Sequence, residues 1–422
     1  MEVGILAALA VLYALLARPF ARFNVTAPML FFLAGACLYL AAGDRGATGE
    51  VVHVLAEVTL VVILFHDAST VRLGALRGDA NVPLRLLAIG FPLALGTTFA
   101  LVGWLLPGLG VAGALLVAGA ITPTDAGLGA PTILNRRVPL RVRRALNVES
   151  GLNDGLATPV VLFALSALAT EEGTFTQHVL SMALAPVALG LAVAIVVALV
   201  SAKFVDLSAD RKWSSASGRA VAVLVLPLVC FGISLAVDAN AFICAFVAGL
   251  VFGSVSTAYR RELTMSETLD SGANLIGYVV WFLAGGLVEI VFDSEFRWQW
   301  VVIAVAALTV LRVVPVAVSL IGTKFRWQSV LFIGWFGPRG MATIVFALLA
   351  AEELGATNPL MLDIGGIVGV VVILSVFAHG ITAGPLARRY GDWIARVQPE
   401  AEIESMGAAF EPQPRGHSRI SS

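Results

Sequence analysis

Asp125, in ITPTDAGLGAP, and Asp154, in NVESGLNDGLATP, each lie in a stretch apolar enough to cross a membrane. A carboxylate at bilayer depth costs about 2.5–3.5 kcal/mol on insertion scales, so one that persists there is expected to serve a purpose. Removed from water, a carboxylate favours its neutral forms, either protonated or paired with a cation. Proton and cation then compete for one group, which is the chemistry of ion exchange. Around Asp154, the pairs Glu149–Asn153 and Ser150–Asp154 are spaced i,i+4, so a helix would present all four from one side. Ser150, Thr124 beside Asp125, and Asp67 in LFHDAST offer oxygen ligands, the type that hard cations prefer. Arg312 and Arg339 also fall inside apolar stretches and are expected to pair with the acids or to face water.

These residues need helices to carry them across a bilayer. The chain is 59% hydrophobic and only 13% charged, too few polar residues to cover a soluble globule of its length. That balance predicts an all-α polytopic membrane protein. About thirteen segments approach the length needed to cross the hydrocarbon. They fall near 3–17, 26–42, 51–70, 83–106, 110–134, 143–170, 178–202, 219–237, 240–257, 270–292, 299–321, 328–351 and 362–387. The first has an acid before it and arginines after it, the reverse of a secretory signal, and reads as a retained span.

Charge placement supports this division independently. With the N-terminus outside, 23 of the 27 Lys and Arg fall in cytoplasmic loops or the C-terminal tail, and only Arg45 and Arg297 lie outside. That asymmetry predicts a cytoplasmic C-terminus in the cell (inner) membrane. Span 5 leads into the arginine-rich turn NRRVPLRVRR and span 6 leaves it, with Asp125 and Asp154 each about ten residues from that turn. At 1.5 Å per residue both sit roughly 15 Å deep, near the bilayer centre. Residues 397–422 turn polar and read as a short disordered cytoplasmic tail after a 1–396 transmembrane domain.

Span 5 is interrupted at Thr122-Pro123-Thr124-Asp125-Ala126-Gly127 and span 12 at Gly334-Trp335-Phe336-Gly337-Pro338-Arg339-Gly340. Broken backbone at depth is tolerated where protein or a cavity satisfies it. Two interruptions at an odd offset predict an inverted-topology repeat, spans 4–6 against 11–13, with the two broken helices crossing at the substrate site. Asp125 and Arg339 are expected each to compensate one set of half-helix ends.

With these residues in hand, the chain resembles the sodium/proton antiporters of the NhaP/NHE type, in the monovalent cation:proton antiporter superfamily. ITPTDA is similar to the family's Thr-Asp-Pro-type motif, ESGLNDG to its Glu-Ser-x-x-Asn-Asp motif and GPRG to its Gly-x-Arg-Gly motif. The resemblance implies a homodimer whose core bundle (spans 4–6 and 11–13) slides against an interface bundle formed by the rest. It implies that Asp154 alternately binds cation and proton, with Thr124, Ser150, backbone near Asp125, and Asp67 completing the cation shell. It also implies that Glu149 and Arg312 form a buried ion pair, and that Asn153 before Asp154 accompanies electroneutral exchange. Ala126 stands where many relatives have proline, and Asp67 where bacterial members often have glutamate; both departures bear on ion preference.

The expectation is therefore antiport of Na+ for H+, with K+ or Li+ as alternatives on the same site. A cation channel and a proton-coupled solute carrier are the rivals from other classes. No nucleophile–base pair, phosphate loop or metal cluster suggests an enzyme or a cofactor. Net charge of -1 gives no sign of nucleic-acid binding, and Cys37, Cys230 and Cys244 show no metal-ligand spacing.

Overall fold

The computed structural model describes residues 2–42, 49–71, 81–169, 178–292, 296–355 and 358–403, and the described residues are helical with short connections. The first helices are α1 (Glu2–Arg22), α2 (Ala27–Ala42), α3 (Gly49–Thr70) and α4 (Asn81–Leu105). Two short helices follow on one line, α5 (Gly110–Ile121) and α6 (Ala126–Ile133), then the long α7 (Leu140–Ala169). The middle of the chain forms α8 (His178–Asp210), α9 (Ala216–Ala236), α10 (Ala241–Val255) and α11 (Leu263–Ala284). The last third supplies two more interrupted lines, α12 (Trp298–Leu308) with α13 (Val310–Ser319) and α14 (Trp327–Trp335) with α15 (Met341–Leu354). It closes with α16 (Pro359–Val397) and the one-turn α17 (Glu400–Ile403).

Each expected span falls on one of these helices or lines. Among the described residues, eight helices are long and apolar enough to cross a membrane, and shorter apolar helices lie at Gly4–Phe20, Ala27–Ala41 and Ala241–Val255. The surface agrees with a lipid surround: α8 and α9 expose Leu189, Ile195, Val196, Phe204, Val221 and Leu235.

Local chemistry sets several boundaries. Asn358 accepts a hydrogen bond from the Leu360 amide at 2.9 Å, and Pro359 follows it, so α16 starts with a side-chain cap and a residue preset for the first turn. Asn240 caps α10 and Ser215 caps α9 in the same way. Small residues bring helices into backbone contact. A Cβ on Gly285 would overlap the backbone of α2, and one on Gly35 would overlap the Phe282 carbonyl of α11.

Three features depart from the sequence reading. α16 runs to Val397, well past the predicted end at 387, because Tyr390 stacks on Phe332 at 4.0 Å and gives the extension an apolar seat. Span 11 is broken at Thr309 (φ −121°, ψ −92°), where neither proline nor glycine signals an interruption. The expected disordered tail begins folded: α17 packs against the domain and Glu402 is fully buried. Glu402 accepts from the Arg326 amide at 2.8 Å and the Ser329 hydroxyl at 2.6 Å, capping the start of α14. Residues 404–422 of the tail lie outside the described residues.

Candidate functional site

The two interruptions meet. Between α5 and α6 the chain is extended, and the Asp125 amide donates to the Pro338 carbonyl at 2.7 Å, joining one broken line to the other. Two N-terminal and three C-terminal half-helix ends converge here, and the charges of Asp125 and Arg339 oppose the two sets. The Asp125 carboxylate takes the two N-terminal ends. Oδ1 accepts from the Leu128 amide at 2.9 Å in α6, and Oδ2 from the Met341 amide at 2.8 Å in α15. Arg339 takes two C-terminal ends, donating to the Pro123 carbonyl after α5 at 3.1 Å and to the Ala307 carbonyl in α12 at 3.0 Å. His379 of α16 reaches the third, with Nε2 at 2.9 Å from the Trp335 carbonyl that ends α14. Gly340 is required by space, since a Cβ there would overlap the Asp125 carboxylate.

Asp125 is therefore better described as a cap for two helices than as a free ligand. The sequence reading counted it among the cation-binding residues and also expected it to compensate half-helix ends; the geometry commits both of its oxygens to backbone amides at two such ends.

Next to it in sequence, Thr124 turns toward α7. Its Oγ1 lies 2.8 Å from Ser150 Oγ and accepts from Asn153 Nδ2 at 2.7 Å. Asp154 follows Asn153 on the same helix, one turn beyond Ser150. Thr124, Ser150, Asn153 and Asp154 are all nearly fully buried. Thr158 donates to the Asp154 carbonyl at 2.8 Å, so the turn that carries the acid is tied down. One turn earlier Glu149 pairs with Arg312 of α13 through both guanidinium nitrogens, Nη2 to Oε2 at 2.8 Å and Nη1 to Oε1. The break at Thr309 re-aims the second half of that line and with it Arg312.

Asp67 approaches from α3. A Cβ on Gly151 would lie 3.0 Å from the Asp67 carbonyl, so α3 and α7 touch at the level of Ser150. The structure thus brings together Thr124, Ser150 and Asn153 on the turn that bears Asp154, packs the backbone of Asp67 against the adjacent Gly151, and surrounds them with Glu149–Arg312 and Asp125–Arg339 as buried charged supports. Sequence reasoning missed Asp270 of α11, whose carboxylate is 3.5 Å from His66 Nε2.

Among the described residues are two cavities of about 320 Å³ each, of which the first reaches Asp125. One is lined by Tyr13, Asn24, Asn135, Tyr278 and Asp125. The other is lined by Glu57, Pro159, Ser166, Asn240 and Glu352. Leu134 and Asn135 belong to the end of span 5 predicted cytoplasmic, and Pro159 and Ser166 to the half of α7 predicted to face out.

The family model described as "Sodium/hydrogen exchanger, transmembrane" matches residues 6–389. The chain belongs to the sodium/hydrogen exchanger family. It is a multi-pass membrane transporter with the fold expected from its sequence. It is 26% identical over 331 residues to a Na+/H+ antiporter of Schizosaccharomyces pombe, covering 71% of this chain and 68% of that protein. It is 25% identical over 378 residues to the K+/H+ antiporter NhaP of Alkalimonas amylolytica, covering 86% of this chain and 63% of that relative. Parts of both relatives thus lie beyond it. Its backbone matches the sodium proton antiporter MjNhaP1 of Methanocaldococcus jannaschii with a TM-score of 0.71 at 20% identity, over 92% of this chain and 98% of that one. The exchanger-family fold is the one the broken, crossing lines build here.

Proposed function

We propose that this chain is a secondary antiporter that exchanges Na+ for H+ across the cell membrane, with Asp154 binding each in turn. The observation that carries the reading is the buried hydroxyl–amide cluster of Thr124, Ser150 and Asn153 on the turn that bears Asp154. Hydroxyl and carboxylate oxygens can coordinate a hard monovalent cation, and Asp67 on α3 completes the set from across the helix contact. When Asp154 holds either a proton or a cation it is neutral and can cross the low-dielectric barrier; the bare anion cannot do so cheaply. That difference couples the two fluxes. Asn153 contributes no second charge, so one monovalent cation replaces one proton and the exchange is electroneutral.

In the mechanism we infer, α4–α7 and α12–α16 move as a core bundle against the remaining helices. Their buried charges support this division: Asp125, Arg339 and the Glu149–Arg312 pair all tie members of that set to one another. The 23 basic residues that the span division assigns to one side support an outside N-terminus and a cytoplasmic C-terminus. The family resemblance supports a homodimer. The K+/H+ reading is kept by the name of the Alkalimonas relative and uses the same residues.

The test is a proteoliposome assay in which a Na+, K+ or Li+ gradient drives a pH change, with and without an imposed voltage. Wild type is expected to move protons in response to Na+ without dependence on voltage. Asp154→Asn is expected to abolish that movement while keeping its thermal midpoint. Persistent exchange in the folded mutant sinks the role of Asp154, and single-channel current would replace the antiporter with a channel.

A further inference from the structure

The last two turns of α3 are gripped on several sides. Gly151 of α7 abuts the Asp67 carbonyl, and side chains at Gly249 and Gly253 of α10 would overlap the Phe65 and Ser69 carbonyls. Ser69 donates to the His66 carbonyl at 2.7 Å and lies 3.0 Å from the Tyr259 hydroxyl. The backbone that carries Asp67 is thereby fixed by contacts with no space to yield. Only the torsions of the Asp67 side chain remain to be set.

His66 sets them. Its Nδ1 lies 2.9 Å from Asp67 Oδ1, and because an ionised carboxylate only accepts, Nδ1 carries the hydrogen and donates. The opposite ring nitrogen faces Asp270 Oδ1 of α11 at 3.5 Å. To donate to both carboxylates the ring needs a hydrogen on Nε2 as well as on Nδ1, and in that doubly protonated form it is held between them. His66 and Asp67 are 3% exposed, so water does not compete for these contacts. Asp154 lies on α7 three residues beyond the Gly151 contact.

We propose that His66 and Asp270 are positioning residues for cation binding: Asp270 orients His66, and His66 holds the Asp67 carboxylate in its ligating orientation. This rests on the reading of Asp67 as part of the cation shell. A ligand ordered beforehand does not lose its rotamer freedom on binding, and outer partners of ion ligands commonly govern affinity. Loosening the strut therefore weakens cation capture more than it slows turnover.

The experiment measures the Na+ dependence of proton flux in proteoliposomes for the full chain and its variants. His66→Leu is expected to raise half-saturating Na+ about three- to tenfold with a maximal rate within about twofold of wild type. His66→Asn, whose amide can replace the Nδ1 donor, is expected to restore half-saturation toward wild type. His66→Gln places its amide near Nε2 instead and is expected to stay impaired. Asp270→Asn is expected to give a smaller rise and to add nothing to His66→Leu. Thermal midpoints accompany each variant; if the leucine variant fails to fold, the Asn–Gln contrast decides. Equal half-saturation in the Asn and Gln variants, or a lowered maximal rate at unchanged half-saturation, overturns the proposal. Absence of Na+-driven flux in wild type removes the exchange reading and this inference with it. An unchanged half-saturation in Asp67→Ala removes the ligand role of Asp67. A raised value there beside a normal His66→Leu removes the strut alone.

Discussion

Thr124 and Asp125 are neighbours in the chain yet belong to regions built on opposite principles. Asp125 faces backbone amides at the starts of two helices, and Arg339 faces carbonyls at the ends of two others. Those partners are backbone groups and cannot turn away as a side chain can. Thr124 faces a serine hydroxyl and an asparagine amide. A hydroxyl can donate or accept and rotates to suit its partner. The first region closes the crossing, and the second can rearrange when an ion arrives. Charge at bilayer depth thus marks both a joint and a site, and the identity of the partners separates the two.

Substitutions can break or sharpen that contrast. The largest effect is expected for Gly340→Ala, whose methyl would occupy the place of the Asp125 carboxylate. Loss of a monodisperse, folded species in detergent is the expected result; a stable variant would show that the joint is looser than drawn. Asp125→Asn keeps one acceptor but turns the other into a donor facing an amide N–H. It is expected to cost about 1–3 kcal/mol in stability, read as a lowered thermal midpoint, with Na+-driven flux retained per folded molecule. A normal midpoint with abolished exchange would return Asp125 to the cation shell. The smallest stability change is expected for Thr124→Ala, about 1 kcal/mol or less, because membrane hydrogen bonds of this kind contribute little. It should raise half-saturating Na+ several-fold, and a purely thermal effect would move Thr124 to the joint.

The sequence made the joint and the core of the site legible for one physical reason. Asp125, Asp154, Arg312 and Arg339 are expensive in apolar stretches, and Pro123, Gly337 and Pro338 interrupt helices visibly. The depth estimate from the arginine-rich turn then brought them to one level. The break at Thr309 carried no such signal, since no proline or glycine stands at that residue. Asp270 was missed because nothing near it in sequence refers to His66; their contact exists only once α3 and α11 pack. Asp125 was expected to compensate half-helix ends and does so, but its nearness to Thr124 could not reveal which two amides it would face. Glu402 sat in a polar stretch that resembles any solvated tail, and only the exposed start of α14 gives it a use.

That carboxylate has a practical consequence. The chain past α16 is anchored to the start of α14 by Glu402 and to α7 by Arg141, which donates to the Ala401 carbonyl. A fluorophore placed just beyond Ile403 would therefore ride with those helices rather than trail from the last one. Paired with a second dye on the connection between α1 and α2, it would turn the proposed displacement of core against interface bundle into a distance readable in single molecules. Trimming the chain at 398 would remove the handle and uncap α14 at once, whereas trimming at 404 would leave both intact.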